Sequence, residues 1–397
     1  MRSSQASEMP CPSCGHAGLE RVYSVKSVPV HSCILLPTRQ EALDFPRGDV
    51  ELGFCHACGL LTNIAFDEGV QDYSPLYEDQ QSFSPTFTAF ARGLAERLID
   101  RHQLRHKQIV EIGCSKGDFL LLLCELGGNQ GIGIDPSAIP GRVQSPAAKQ
   151  VRFIPEYYSD RHAGYQADLL CCRHTLEHIH QTADFLRTVR RGLEVGSGAV
   201  VFFELPYALR VLRDAAFWDI YYEHCSYFTA GSLARLFRSC GFEVTGLSRE
   251  YGDQYLTIEA VPAGAAPSRT DPLEESVPAM TALVADFREQ VNPAREAWRR
   301  RLDALCAEGR RIAIWGSGSK CVAFLTTLDA GHAVGHVVDI NPHRHGRFLP
   351  GLGIEIMAPE SLRTYQPEHV LVMNPVYHQE IASMLQAMQI PAEVVAL

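Results

Sequence analysis

Eight consecutive residues, Tyr221-Tyr222-Glu223-His224-Cys225-Ser226-Tyr227-Phe228, set an imidazole, a carboxylate and phenols beside one another. A histidine titrates near neutral pH and carries a proton in either direction, and a neighbouring carboxylate fixes its tautomer or raises its basicity. The chemistry open to such a set is proton abstraction, with His224 as base, Glu223 as its partner and Tyr221 as a hydroxyl donor. The same string also reads as a helix-start segment whose aromatics are core and whose Glu223 is a capping charge. The surrounding elements have to decide.

A second set is built for a metal. Cys11-Pro-Ser-Cys14-Gly and Cys55-His-Ala-Cys58-Gly are two CxxC knuckles, each followed by glycine. Two residues between cysteines let both thiolates turn onto one ion, and two such turns complete a tetrahedral sulfur cage. Four thiolates leave no open coordination position, so the expected ion is a structural Zn2+ that holds a small domain together. A redox role for either CxxC is the alternative, but a paired second knuckle is unnecessary for it. His16, His31 and His56 read as packing or surface histidines.

The elements that must position these groups fall into three stretches. A chain of 397 residues, 46% hydrophobic and 21% charged, has the composition of a soluble globular protein of two or three domains. Its formal net charge of −10 and dispersed Lys and Arg argue against nucleic-acid binding. With neither a signal-peptide core nor a membrane-length apolar run, the expected compartment is the cytoplasm. The zinc domain is expected over 1–72. A helix with Phe87, Phe90, Leu94 and Leu98 at helical spacing then opens an α/β domain over 73–265, whose first strand, Gln108–Gly113, ends in a glycine turn. Alternating strands and helices follow to Ala260, as in a doubly wound sheet. An Ala-, Pro-, Ser- and Thr-rich boundary and a charged helix from Met280 to Glu308 lead to a third domain over 266–397. It opens again on a strand and a turn, Arg311-Ile-Ala-Ile-Trp315-Gly-Ser-Gly318-Ser-Lys320, with Asp339 after its second strand.

The two turns differ in the ligand they suit. Glu111-x-Gly113-x-x-x-Gly117, with Asp135 closing the next strand, lacks the close glycines of a dinucleotide fingerprint and fits S-adenosylmethionine better. Gly113 and Gly117 would let the backbone approach the ligand, Glu111 would address its amino acid part, and Asp135 would accept both ribose hydroxyls. The later turn could hold a nucleotide on helix N-terminal amides with Lys320 near a phosphate, or keep its glycines for packing alone.

Zinc knuckles, EIGCSKG with GIGIDPS, HTLEHIH, YYEHCSYF, IWGSGSK, VVDINPHRHGRFLPG and MNPVYHQEI, in that order, resemble the sugar C-methyltransferases of deoxysugar biosynthesis along essentially the whole chain. The resemblance implies an N-terminal zinc domain, a central Rossmann-like class I methyltransferase domain and a C-terminal Rossmann-like domain. It implies methylation at C3 of a nucleotide-linked 4-keto-6-deoxyhexose, in a monomer or small homo-oligomer. The family's Tyr-x-Glu-His falls on Tyr221, Glu223 and His224, and its histidine after the fourth strand on His178, with His174 where asparagine is usual. Its linker tyrosine falls on Tyr77, although the expected Tyr-x-Tyr pattern is absent. Asn374, in Met373-Asn374-Pro375, stands near where relatives show a tryptophan-asparagine pair. Those departures imply a side branch whose substrate differs. In the implied mechanism His224 takes the C3 proton, with Glu223 setting its tautomer, and Tyr221 or His178 donates to the developing oxyanion. O- or N-methylation of a small metabolite, a non-catalytic zinc- and nucleotide-binding protein, and an NAD-dependent oxidoreductase are the competing readings.

Overall fold

The computed structural model describes residues 6–7, 9–264 and 269–397. Three sheets order the chain. The first is antiparallel, with strand order β1-β2-β3-β4-β10, made of β1 (Ala6–Ser7), β2 (Leu19–Pro29), β3 (Arg47–Phe54), β4 (Leu61–Asn63) and, from far downstream, β10 (Ser226–Tyr227). Both knuckles lie at one end of the long β2–β3 hairpin. In each, the glycine after the second cysteine takes a left-handed conformation, φ 74° at Gly15 and 77° at Gly59, and donates its N–H to the first cysteine's carbonyl at 2.8 Å. That is why each CxxC carries its glycine.

The second sheet contains β5 (Gln108–Ile112), β6 (Gln130–Ile134), β7 (Val151–Ile154), β8 (Leu169–Arg173), β9 (Val200–Pro206), β11 (Phe242–Glu250) and β12 (Tyr255–Pro262), in the order β11-β12-β9-β8-β5-β6-β7. Only β12 runs antiparallel to its neighbours. Helices cover both faces, so the inner strands are continuous apolar runs such as Leu169-Leu-Cys-Cys172, buried on both sides. Sheet order reverses at β5, and in an open α/β sheet that reversal creates the ligand crevice at the carboxyl ends of the strands.

The third sheet is wholly parallel, β15-β14-β13-β16-β17, from β13 (Ile312–Trp315), β14 (His336–Val338), β15 (Ile356–Met357), β16 (His369–Val372) and β17 (Glu393–Ala396). Here too the order reverses at the first strand, beside the glycine turn. The helix Val277–Ala307 precedes it, capped by Ser276, and buries Met280, Val284, Phe287 and Val291 at alternating spacings of four and three. Part of the expected boundary, residues 265–268, lies outside the described residues. Beyond it, Glu275 accepts from Tyr207 Oη at 2.6 Å and the Gly231 amide at 2.9 Å, which ties the chain back to the central sheet. One apolar cluster runs through all three parts. It includes Leu52 and Phe54, Phe228 and Phe237, and Phe287 and Phe324.

Candidate active site

The string around His224 is an extended turn that ends in β10, and pairing of Ser226 with Thr62 and of Tyr227 with Leu61 pins it to the N-terminal sheet. His224 turns toward a cavity of about 370 Å³ and Glu223 turns away from it. His224 Nε2 lies 3.2 Å from Tyr221 Oη. Burial, with His178, His174 and Lys320 nearby, holds His224 well below the usual histidine range, so its ring is neutral at physiological pH. Burial holds the Tyr221 phenol well above its usual range, so it stays protonated beside His224 Nε2.

Glu223 does not partner His224. Its carboxylate accepts from His31 Nδ1 at 3.0 Å, the Ser32 amide at 3.3 Å and Ser319 Oγ at 2.9 Å. Burial alone would raise it, but His31, His178 and Ser319 together hold it below the usual carboxylate range. The Asp72 amide, which can only donate, lies 2.8 Å from His31 Nε2, so His31 carries its hydrogen on Nδ1 and donates it to Glu223. Glu223 thus joins the N-terminal sheet to the C-terminal glycine turn.

His178 Nδ1 faces the Glu223 carbonyl oxygen at 3.0 Å and Tyr73 Oη at 2.8 Å. A carbonyl oxygen only accepts, so Nδ1 carries a hydrogen and Nε2 is the ring nitrogen left for other partners. The expected donation from His178 to an oxyanion would have to come from Nε2, because the Nδ1 hydrogen is already used. Tyr77 is buried against His31 and Tyr73, and it lines the cavity.

At the donor turn, Glu111 is buried, its carboxyl is pushed up to about 8 by that burial, and Oε2 has no hydrogen-bond partner. It opens on the same cavity as His224. Asp135 accepts from the Ser115 amide at 2.8 Å and the Ser137 amide at 2.6 Å, at the end of β6 beside the donor turn, and Ser115 in turn lines the cavity. Gly113 and Gly117 serve packing first. Their φ values are 69° and 90°, and a Cβ would strike Thr175 at one and the Phe153 ring at the other.

The C-terminal turn repeats the device. Asp339 accepts from the Ser317 amide at 2.8 Å and the Asn341 amide at 2.9 Å. A Cβ on Gly318 would meet nothing within 4 Å, so this glycine is not there to pack. It sits at the start of the helix Ser319–Leu328, on the cavity wall. Lys320 lines the cavity already paired: Asp219 Oδ1 at 2.8 Å and Gln254 Oε1 at 3.0 Å hold its ammonium, which stands partly exposed. Asn374 caps its own turn through the Val376 amide at 3.1 Å and lines the cavity.

One cavity therefore touches the donor turn, the His224 string and the C-terminal turn. Residues 86–247 match the methyltransferase domain family, and residues 274–392 match the C-methyltransferase C-terminal domain. Across both, the chain is 26% identical over 387 residues to the C-methyltransferase NovU of Streptomyces niveus, covering 94% of this chain and 90% of that one. The chain is an S-adenosylmethionine-dependent C-methyltransferase. Among solved structures it is similar to a putative S-adenosylmethionine-dependent methyltransferase of Listeria monocytogenes, with 13% identity and a TM-score of 0.34, over 45% of this chain and 100% of that one. It is also similar to the Burkholderia thailandensis 1,6-didemethyltoxoflavin-N1-methyltransferase, with 16% identity and a TM-score of 0.33, over 45% of this chain and 82% of that one.

The C-methyltransferase gathers Cys11, Cys14, Cys55 and Cys58 with all four sulfurs within 4.8 Å of one another; Cys11 and Cys58 are 3.6 Å apart, and Cys14 and Cys55 3.7 Å. That donor set can hold a tetrahedral ion. Glu177, His178 and His224 also bring ligand atoms within 4.8 Å of one another. Sequence reasoning passed over His31, Tyr73 and Glu177. His31 sits far from the string in sequence, Tyr73 lies in a linker without pattern, and Glu177 precedes the histidine that drew attention. For Tyr73 the available signal was its place in the same linker as Tyr77.

Proposed function

We propose that this C-methyltransferase methylates the carbon next to the ketone, C3, of a nucleotide-linked 4-keto-deoxysugar. The observation that carries the reading is the single cavity shared by Glu111 and Gly113, His224, and Gly318 with Ser319. A neutral, buried imidazole facing a cavity suits removal of a carbon-bound proton beside a carbonyl. His224 takes that proton, and Tyr221 holds the ring through its hydroxyl. Glu111 and Asp135 would hold S-adenosylmethionine, which supplies an electrophilic methyl when bound. The open Gly318 and the amides that start the helix Ser319–Leu328 would take the nucleotide's phosphates.

The four cysteines would hold one structural Zn2+. All thirteen cysteines are free in this structure, which suits a reducing compartment such as the cytoplasm. The test is incubation with carbon-13-labelled methyl donor and a nucleotide-linked 4-keto-6-deoxyhexose. A new methyl singlet on a quaternary carbon is the expected product. A methyl on oxygen or nitrogen would overturn the reading.

A further inference from the structure

Glu177 stands in the cavity wall with 2% of its surface exposed, and neither carboxylate oxygen has a hydrogen-bond partner. A buried carboxylate without donors is costly unless a charge answers it. Two imidazoles face it: His174 Nδ1 lies 3.8 Å from Oε1, and His224 Nε2 lies 4.0 Å from the same oxygen. His174 is itself fixed by Glu204, 2.9 Å from its Nε2, on a left-handed backbone with φ 49°. Such a conformation persists in a non-glycine residue only where its surroundings impose it.

Resting on the reading of His224 as the base, we propose that Glu177, and not the adjacent Glu223, is the carboxylate that serves it, a positioning residue that holds and stabilises His224 as an imidazolium. In the step concerned, the C–H bond beside the ketone breaks and its electron pair forms the carbon–carbon double bond of the enolate. The carbonyl pair moves onto oxygen, and the proton goes to His224 Nε2. The ring then carries a positive charge. Its surroundings are hostile to that charge: His178 packs edge-on at 4.7 Å, and His174 and Lys320 add positive potential. Tyr221 and Tyr227, from its own segment, contribute neutral rings. Glu177 is the carboxylate within reach of Nε2, since Glu223 is turned to His31. Its attraction is small for the neutral ring and large for the protonated one, so it acts on the transition state more than on the resting enzyme.

The test uses the full-length enzyme with S-adenosylhomocysteine and thymidine-diphosphate 4-keto-6-deoxyglucose as the probe, following loss of the C3 proton signal in heavy water. Glu177→Gln should slow exchange about 100-fold, the scale of one acid–base group. S-adenosylhomocysteine affinity and the KM for the probe should hold, and Glu177→Asp should recover part of the rate. The deuterium isotope effect on methyl transfer should rise in Glu177→Gln, because proton removal becomes the slower step. A wild-type rate and isotope effect in Glu177→Gln, alongside lost exchange in His224→Asn, would overturn the proposal and leave His224 as base. Unchanged exchange in His224→Asn would instead remove the base assignment itself. Equal losses in Glu177→Asp and Glu177→Gln with weakened S-adenosylhomocysteine binding would mark a scaffold role and overturn it too. So would a divalent ion beyond the cysteine site, present in wild type and lost in Glu177→Gln, since Glu177 would then be a ligand.

Discussion

Replacing His31 with phenylalanine tests whether the N-terminal sheet is part of the active site or merely attached to it. His31 and Glu223 have side chains 1% and 0% exposed, joined at 3.0 Å. The substitution keeps a ring to pack against Tyr73 and Tyr77 but removes two hydrogen bonds. A hydrogen bond to a charged group contributes about 1.5–3 kcal/mol, and the part-buried bond from the Asp72 amide about 0.5–1.5 kcal/mol. Together they amount to about 2–4.5 kcal/mol. At about 2.1 cal/mol/K per residue, a 397-residue chain unfolding as one unit should lose about 2–5 °C in Tm.

The loss should also depend on pH. Folded Glu223 is held below its ordinary carboxylate range, so its stabilisation is present above its unfolded pKa of about 4.3 and fades as pH falls through its folded value. Without His31 that contribution shrinks, and the gap in Tm between variant and wild type should narrow in acid. Differential scanning calorimetry at neutral pH and below pH 4 gives both numbers. Coincident melting curves at neutral pH would refute the reasoning, because the geometry leaves Glu223 no comparable replacement on that side.

Cys55→Ser should lower the metal content measured by mass spectrometry and unfold the N-terminal sheet first, seen as early proteolysis in that domain. His174, pushed up to about 9 by Glu177 and Glu204 against its burial, stabilises the fold below its unfolded pKa of about 6.5 and loses that effect as pH rises through about 9. Wild type should therefore shed up to about 3 kcal/mol between those limits in urea titrations, and His174→Asn should lack that slope. Gly113→Ala should fold poorly, since φ 69° and the Thr175 side chain both oppose a Cβ, whereas Gly318→Ala should melt like wild type yet bind nucleoside diphosphate more weakly by calorimetry.

The parts of this protein that could be read from its sequence are those set by local chemistry. The CxxC-Gly knuckles, the Glu111–Gly117 turn with Asp135, and the Gly316–Gly318 turn with Asp339 each close within a few residues or one strand–helix–strand unit, so spacing alone carries their geometry. Lys320 and Glu223 misled for the opposite reason. Their partners, Asp219 and His31, lie 101 and 192 residues away, and no local pattern reports such a contact. Glu223 is the sharper case. Adjacency to His224 suggested a dyad, but Glu223 lies in the turn before His224, and its side chain goes to His31 while that of His224 lines the cavity. The residue beside a base in sequence is then the one poorly placed to serve it. A partner has to come from another element, and Glu177, in the short turn after β8, is the carboxylate that the fold brings to within 4.0 Å of His224.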